Sequence, residues 1–430
     1  MEDPTSSGSH LQARFVTKQQ QYAVPEFPFS VPANVGASEL SALINKLLNE
    51  EKAEEDVEQL DFDFLIDGEL LRVSVSNHME EKGISSETVV EIEYFQKHPA
   101  PTPEGSLLHD DWISCVQGCN DRIVTGCYDN SVRLWNVKGD NLMTLSYHSD
   151  PVKCVSWIKK DGPTSLLVSG SHDQSLIIWE VNEEKKTCQA LHSCRGHARS
   201  VDSVAVNKSG TKICSGSFDS MLKIWSAVPG TTEDVSERTE DQHRKKIKAD
   251  KNLPLTRTPL MTLDGHREAV SSVLWYNDNE VCSASWDHTI QFWDVETGVQ
   301  KSTLTGTKVF LSIALSECNG MIASGNADRH IRIWDPRSSE GAVVKSSLSH
   351  HNGWVTAVDW SRVNSNQLIS GSYDQTFKLW DIRSSKAPLY NMSGLGDKVL
   401  AVNWNIPELL LFGGADNCLH IFHSSEIISR

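Results

Sequence analysis

The stretch Gly371-Ser372-Tyr373-Asp374-Gln375-Thr376-Phe377-Lys378-Leu379-Trp380 decides how this 430-residue chain folds. Small residues lead into an aspartate, and a short apolar run then ends in an aromatic six residues after it. The phrase recurs from Gly126 through Asp129 to Trp135, from Gly170 through Asp173 to Trp179, and from Gly216 through Asp219 to Trp225. It returns from Ala284 through Asp287 to Trp293, from Gly325 through Asp328 to Trp334, and from Gly414 through Asp416 to Phe422. Aspartate after small residues is turn chemistry, and the apolar run that follows is strand chemistry.

Most successive aspartates lie 41 to 46 residues apart. A period of about 40–45 residues is the size of one four-stranded propeller blade. The phrase is that of WD-repeat proteins, and its count predicts a mostly β chain built around a seven-bladed WD-repeat β-propeller. Closing such a ring removes the exposed strand edges that invite aggregation. Only eight residues follow Phe422, so the outer strand of the last blade is expected from residues near 104–108, which would clasp the ring shut.

A histidine stands ahead of five of the aspartates, at His109, His148, His197, His266 and His351. Each lies four residues before an aliphatic that opens a strand. In WD repeats this histidine, a serine or threonine, the aspartate and the tryptophan form a buried hydrogen-bonded network, and a buried carboxylate is tolerated only with such partners. Serine, histidine and aspartate also perform hydrolysis, but here the set recurs with the fold period and there is no Gly-x-Ser-x-Gly elbow, so it reads as structural. Blades five and seven carry Thr307-Lys308 and Leu395-Gly396 in place of the histidine and are expected to be the least rigid, or modified for a partner.

The propeller accounts for residues 107–423, which leaves the first hundred to another module. That region holds 19 acidic and 7 basic side chains, so −12 of the net −17 lies there. Such a balance argues against general nucleic-acid binding as the main business of the chain. Residues 11–17 alternate like a strand, and a second short strand lies near 28–31. Leu40, Leu43, Ile44, Leu47 and Leu48 share one face of a helix from Ser38, its expected N-cap, to Asn49. Strands follow at 61–66, 70–73 and 88–94. The order β-β-α-β-β-β over residues 11–95 predicts a small α+β ubiquitin-like β-grasp domain. It does not end in Gly-Gly, as a conjugated modifier would, so it reads as a docking module. Residues 96–106, with three prolines nearby, read as a stiff linker that could also supply the ring-closing strand.

Ten cysteines contain no C-x-x-C pair and several sit in apolar strand patterns, so they read as reduced buried thiols of an intracellular protein. Asp219 and Asp287 are 68 apart. The excess, residues 229–258, is polar and reads as a surface loop. Its run Arg244-Lys245-Lys246-Ile247-Lys248 fits a solvated loop, a nuclear-import signal or a contact to RNA phosphates.

Phe62-Asp63-Phe64-Leu65-Ile66-Asp67-Gly68-Glu69-Leu70-Leu71-Arg72, then Gly83-Ile84-Ser85-Ser86-Glu87, and His109-Asp110-Asp111-Trp112-Ile113 closely resemble the ribosome-biogenesis WD-repeat protein 12 family. The resemblance covers residues 11–423. It implies a non-catalytic assembly factor for the large (60S) ribosomal subunit, in the nucleus (nucleolus and nucleoplasm). It further implies a propeller that scaffolds a complex with pescadillo and block-of-proliferation 1 protein, needed for rRNA maturation in pre-60S particles. The ubiquitin-like domain would dock on the midasin ATPase. There Glu87, flanked by Ser85 and Ser86, would complete the coordination of a partner-bound Mg²⁺; no cofactor of the chain's own and no membrane contact are implied. A hard octahedral cation with one open position accepts such a carboxylate. An alternative remains. Trp334-Asp335-Pro336-Arg337 and Trp380-Asp381-Ile382-Arg383 fit the W-D-x-R pattern of cullin-4 ubiquitin ligase substrate receptors.

Overall fold

The computed structural model describes residues 10–49, 59–85, 88–230, 254–337 and 344–424. They fall into two compact units, one within Met1–Ala100 and the other Pro101–Ser424.

The first unit holds β1 (His10–Val16), β2 (Phe29–Pro32), α1 (Ala37–Asn49), β3 (Phe62–Ile66), β4 (Glu69–Leu70), α2 (Val75–Lys82) and β5 (Val90–Gln96). The sheet order is β2-β1-β5-β3-β4, with β1 parallel to β5 and the other pairs antiparallel. This is a β-grasp, and α1 lays Leu40 and Ile44 onto a core of Phe15, Phe64, Ile92 and Tyr94. Asn45 Nδ2 donates to Leu60 O at 2.6 Å and Asn45 Oδ1 accepts from Leu60 N at 3.0 Å, which fixes the chain as it enters β3.

Three expectations change here. Ser38 lies inside α1, which begins at Ala37; at that end Gly36 N donates to Glu39 Oε2 at 2.8 Å. The strand expected at 70–73 stops at Leu70. Beyond it stands α2, which the alternation pattern did not reveal. Ser74 caps α2 by accepting from Asn77 N, and Gly83 ends it with a φ of 67°. Only Val75, His78 and Met79 face inward from this short polar helix, too few to make a period.

The second unit contains seven sheets, and the innermost strand of each is the first in its blade. These strands are Ile113–Cys119, Val152–Asp161, Val201–Val206, Val270–Asn277, Phe310–Leu315, Val355–Trp360 and Val399–Asn403. Small residues three before the aspartates explain how neighbouring blades meet. A Cβ on Gly126 would strike Val152, on Gly170 Val201, on Gly216 Val270, on Gly325 Val355 and on Gly371 Val399. Gly413 in the last blade is covered the same way by Ile113 of the first, so the contact runs full circle. Each of these covering aliphatics is fully buried, worth about 1.5–3 kcal/mol against exposure.

The ring is also latched by backbone. Strand β6 (Thr102–Leu108) runs antiparallel to Cys418–His423, with Leu108 opposite Cys418 and Thr102 opposite His423. What the sequence presented as one linker therefore divides three ways: β5 extends to Gln96, β6 begins at Thr102, and only the residues between belong to no strand.

The long third repeat also departs from a plain surface loop. Leu255–Arg257 forms a fifth strand on the second blade, parallel to Thr187–Arg195. Arg257 is 2% exposed and donates to Ser226 O at 2.6 Å and Val228 O at 3.0 Å. The basic run 244–248 lies outside the described residues.

Candidate interaction surfaces

Seven aspartates position one end of the propeller. The residue after each (Asn130, Gln174, Ser220, His288, Arg329, Gln375 and Asn417) has a φ between 62° and 72°. That left-handed turn costs a non-glycine residue free energy, and the aspartate offsets it by accepting from the amide two residues on. Asp173 Oδ1, for example, accepts from Ser175 N at 3.0 Å and from Ser175 Oγ at 2.6 Å.

In four blades a histidine from the preceding loop completes the arrangement. Trp179 Nε1 donates to Ser169 Oγ at 2.8 Å, that oxygen lies 2.8 Å from His148 Nε2, and His148 Nδ1 lies 2.7 Å from Asp173 Oδ2. His197, Ser215, Asp219 and Trp225 repeat the chain, as do His266, Ser283, Asp287 and Trp293, and His351, Ser370, Asp374 and Trp380. Burial alone would raise these carboxyls. Hydrogen bonds from histidine and backbone outweigh it and bring Asp173 and Asp219 down to about 2. Each serine is fully buried and already receives a tryptophan N–H. No substrate can reach such a hydroxyl, so the resemblance to a hydrolytic triad ends there.

The remaining three blades solve the problem differently. In blade one, Asp129 is held by Arg133 at 2.7 Å, while His109 Nδ1 faces Leu107 O at 3.2 Å. His109 therefore reaches Thr125 and Trp135 but not the aspartate, contrary to the expected network. In blade five, Arg332 grips Asp328 with both terminal nitrogens, at 3.0 and 2.5 Å, and Trp334 binds Ser324. In blade seven, His420 Nε2 meets Asp416 Oδ2 at 2.8 Å. The counter-group missing from the preceding loops of blades five and seven is supplied from within the blade, four residues after the aspartate.

With the turns fixed, the residue before the aspartate is a large side chain at this end in five blades. Tyr128, His172, Phe218, Trp286 and Tyr373 occupy that place, joined by Trp112 and Trp354 from the adjoining loops. Trp112 is 41%, Trp286 39% and Trp354 50% exposed, whereas Trp225, Trp293, Trp334, Trp360, Trp380 and Trp404 are fully buried. Trp354 stacks on Tyr373 at 5.6 Å; Lys398 Nζ lies 5.0 Å from the Tyr373 ring and 6.0 Å from Trp112, which meets Tyr128 at 5.5 Å. A second group joins Arg199, Phe218 and Trp286, with the rings 5.4 Å apart. Exposed aromatic faces interleaved with cations are the side-chain types in which protein interfaces are enriched. The sequence carried a signal for them, the large side chain before the aspartate, which registers as a surface only once the turns share one end.

On the first unit, Ser86 and Glu87 lie outside the described residues. Gly83 closes α2, Thr88 Oγ1 donates to Ser85 O at 3.3 Å, and Val89 is 49% exposed just before β5. The two W-D-x-R motifs turn inward on themselves. Arg337 bonds Asp335 at 3.0 and 3.2 Å, and Arg383 bonds Asp381 at 2.9 and 2.7 Å.

Both units have known relatives. The NLE (NUC135) domain family matches residues 11–79, and the WD domain, G-beta repeat, matches 102–136, 139–180, 188–226, 257–294, 298–335 and 342–381. A ribosome biogenesis protein WDR12 homolog from Ixodes scapularis is 47% identical over 418 residues, spanning 96% of this chain and 98% of its own. Homologs of that name from Nematostella vectensis and Anopheles gambiae are 46% and 43% identical, each across at least 96% of both chains. The chain belongs to the ribosome biogenesis WDR12 family. That family is one of WD-repeat scaffolds, not of enzymes. The six matched repeats stop at residue 381, and the structure adds the seventh blade, completed by β6.

Proposed function

We propose that this chain is an assembly factor of the large ribosomal subunit, acting in the nucleolus and nucleoplasm. The observation that carries the reading is that similarity to the WDR12 homologs runs through both units at 39–47% identity. The propeller scaffolds a complex with pescadillo and block-of-proliferation 1 protein, with Trp112, Trp286, Trp354 and Tyr373 giving its exposed end the aromatic anchors a protein interface uses. The β-grasp unit docks on midasin, and Glu87 supplies one oxygen to the Mg²⁺ held there. A glutamate carboxylate suits a hard cation with an open position.

Affinity purification of the tagged chain from nuclear extract, with identification of bound proteins and RNA, tests this. The expected result is pescadillo, block-of-proliferation 1 protein, midasin and large-subunit precursor RNA. Glu87→Ala should lose midasin alone and keep the other two proteins. Recovery of a cullin-4 adaptor without precursor RNA would overturn the reading, and midasin recovery unchanged by Glu87→Ala would remove the role given to that residue.

A further inference from the structure

The seventh blade departs from its siblings at two places at once, and both changes are toward metal-binding side chains. Two residues after the aspartate, blades one, two, four and six place Ser131, Ser175, Thr289 and Thr376, whose hydroxyls donate to the carboxylate at 2.6 Å. Blade three places Met221 there, blade five His330 and blade seven Cys418. Four residues after the aspartate stand Arg133 and Arg332 in the other two blades whose aspartate takes no histidine from the preceding loop, and blade seven places His420. Cys418 and His420 thus stand two apart at the start of the last strand and Asp416 in the turn that leads into it, and their donor atoms all lie within 4.8 Å of one another.

We propose that Asp416, Cys418 and His420 form a binding site for a zinc ion at the closure of the ring. A thiolate, an imidazole and a carboxylate together suit a borderline divalent ion such as zinc, and three protein ligands leave a fourth position for water or an outside donor. Where other blades bring a histidine onto the aspartate, this one has Gly396, whose Cβ position is 3.2 Å from the Asp416 Cβ. The carboxylate and imidazole already lie 2.8 Å apart, in a hydrogen bond that the metal would replace. Binding replaces the thiol proton by the metal and moves the imidazole proton from Nε2, where it is donated to Asp416, to Nδ1, so one proton leaves to solvent for each zinc taken up. The location matters because Cys418 pairs with Leu108 of β6 and Asn417 O accepts from His109 N at 2.8 Å. A metal here braces the junction between the last strand and the first.

Blade one supplies the control. The double variant C418S/H420R writes the set Asp129-Ser131-Arg133 into blade seven, keeping the aspartate paired while removing two ligands. The full-length chain is stripped with chelator, titrated with Zn²⁺, and in parallel with Co²⁺ to read thiolate ligation by absorbance. The unaltered chain should bind one zinc and show a cobalt–thiolate band. C418S/H420R, with unchanged circular dichroism, should bind more than about 100-fold more weakly, since losing even a supporting residue of a metal site costs ~10–100-fold. C188S/C318S, which removes the two exposed thiols, should leave both readouts intact. Equal zinc affinity in C418S/H420R, or cobalt binding without a thiolate band, would overturn the proposal.

Discussion

Replacing Ser283 by alanine tests whether the buried chains of hydrogen bonds, rather than apolar packing alone, hold the blades. Ser283 is fully buried, with Trp293 Nε1 at 2.9 Å and His266 Nε2 at 2.8 Å from its hydroxyl. Alanine removes both bonds and leaves two ring nitrogens unpaired in a place water does not reach. Each such group costs about 1–3 kcal/mol, so the loss should be about 2–6 kcal/mol. Ser283→Thr is the matched control, because Thr125 does the same work in blade one, 2.8 Å from His109 Nε2 and 3.1 Å from Trp135 Nε1. Threonine should cost less than half as much as alanine. Urea unfolding of the full chain, followed by tryptophan fluorescence and circular dichroism, gives both values. An alanine loss under about 0.5 kcal/mol, or a threonine variant as weak as alanine, would refute the account by placing the effect in volume rather than in hydrogen bonding.

Acid should weaken the propeller in a defined window. Asp173 and Asp219 are held near 2 in the folded chain against an ordinary 3.8, so their contribution is complete above about pH 5 and is lost as the pH falls toward 2. Both carboxylates are nearly buried, and the shift corresponds to roughly 2 kcal/mol each. The urea midpoint should hold steady from pH 7 to about 5 and then drop; a flat profile from pH 4 to 2 would contradict this. On the exposed end of the ring, Trp354→Ala with Tyr373→Ala should leave stability within about 0.5 kcal/mol while weakening recovery of the propeller's protein partners at least tenfold. Undiminished recovery would move the interface elsewhere.

The residues that resisted reading share a feature: their partners are distant or have rivals. His109 stands in sequence where His148, His197, His266 and His351 stand, yet Asp129 is taken by Arg133 on its own strand. Spacing shows that a histidine can reach the aspartate; it does not show that a guanidinium four residues on gets there first. Helix α2 offers only one turn's worth of inward side chains, and the fifth strand on blade two finds its mate some sixty residues earlier. The exposed aromatics were visible as letters but not as a surface, because each belongs to a different blade.

Local chemistry therefore settled the architecture. An aspartate, a left-handed residue and an amide two positions on make a turn within a few residues, and repeating that turn seven times at one period leaves a propeller as the natural outcome. Burial on both faces of the second strand of each blade follows from the same repeated phrase. Tertiary structure alone decided what lies across the ring: that β6 pairs with Cys418–His423, that Ile113 packs on Gly413, and which side chain neutralises each buried carboxylate. Those choices depend on distances between parts of the chain separated by up to three hundred residues, where several groups compete for one position and only packing selects the winner.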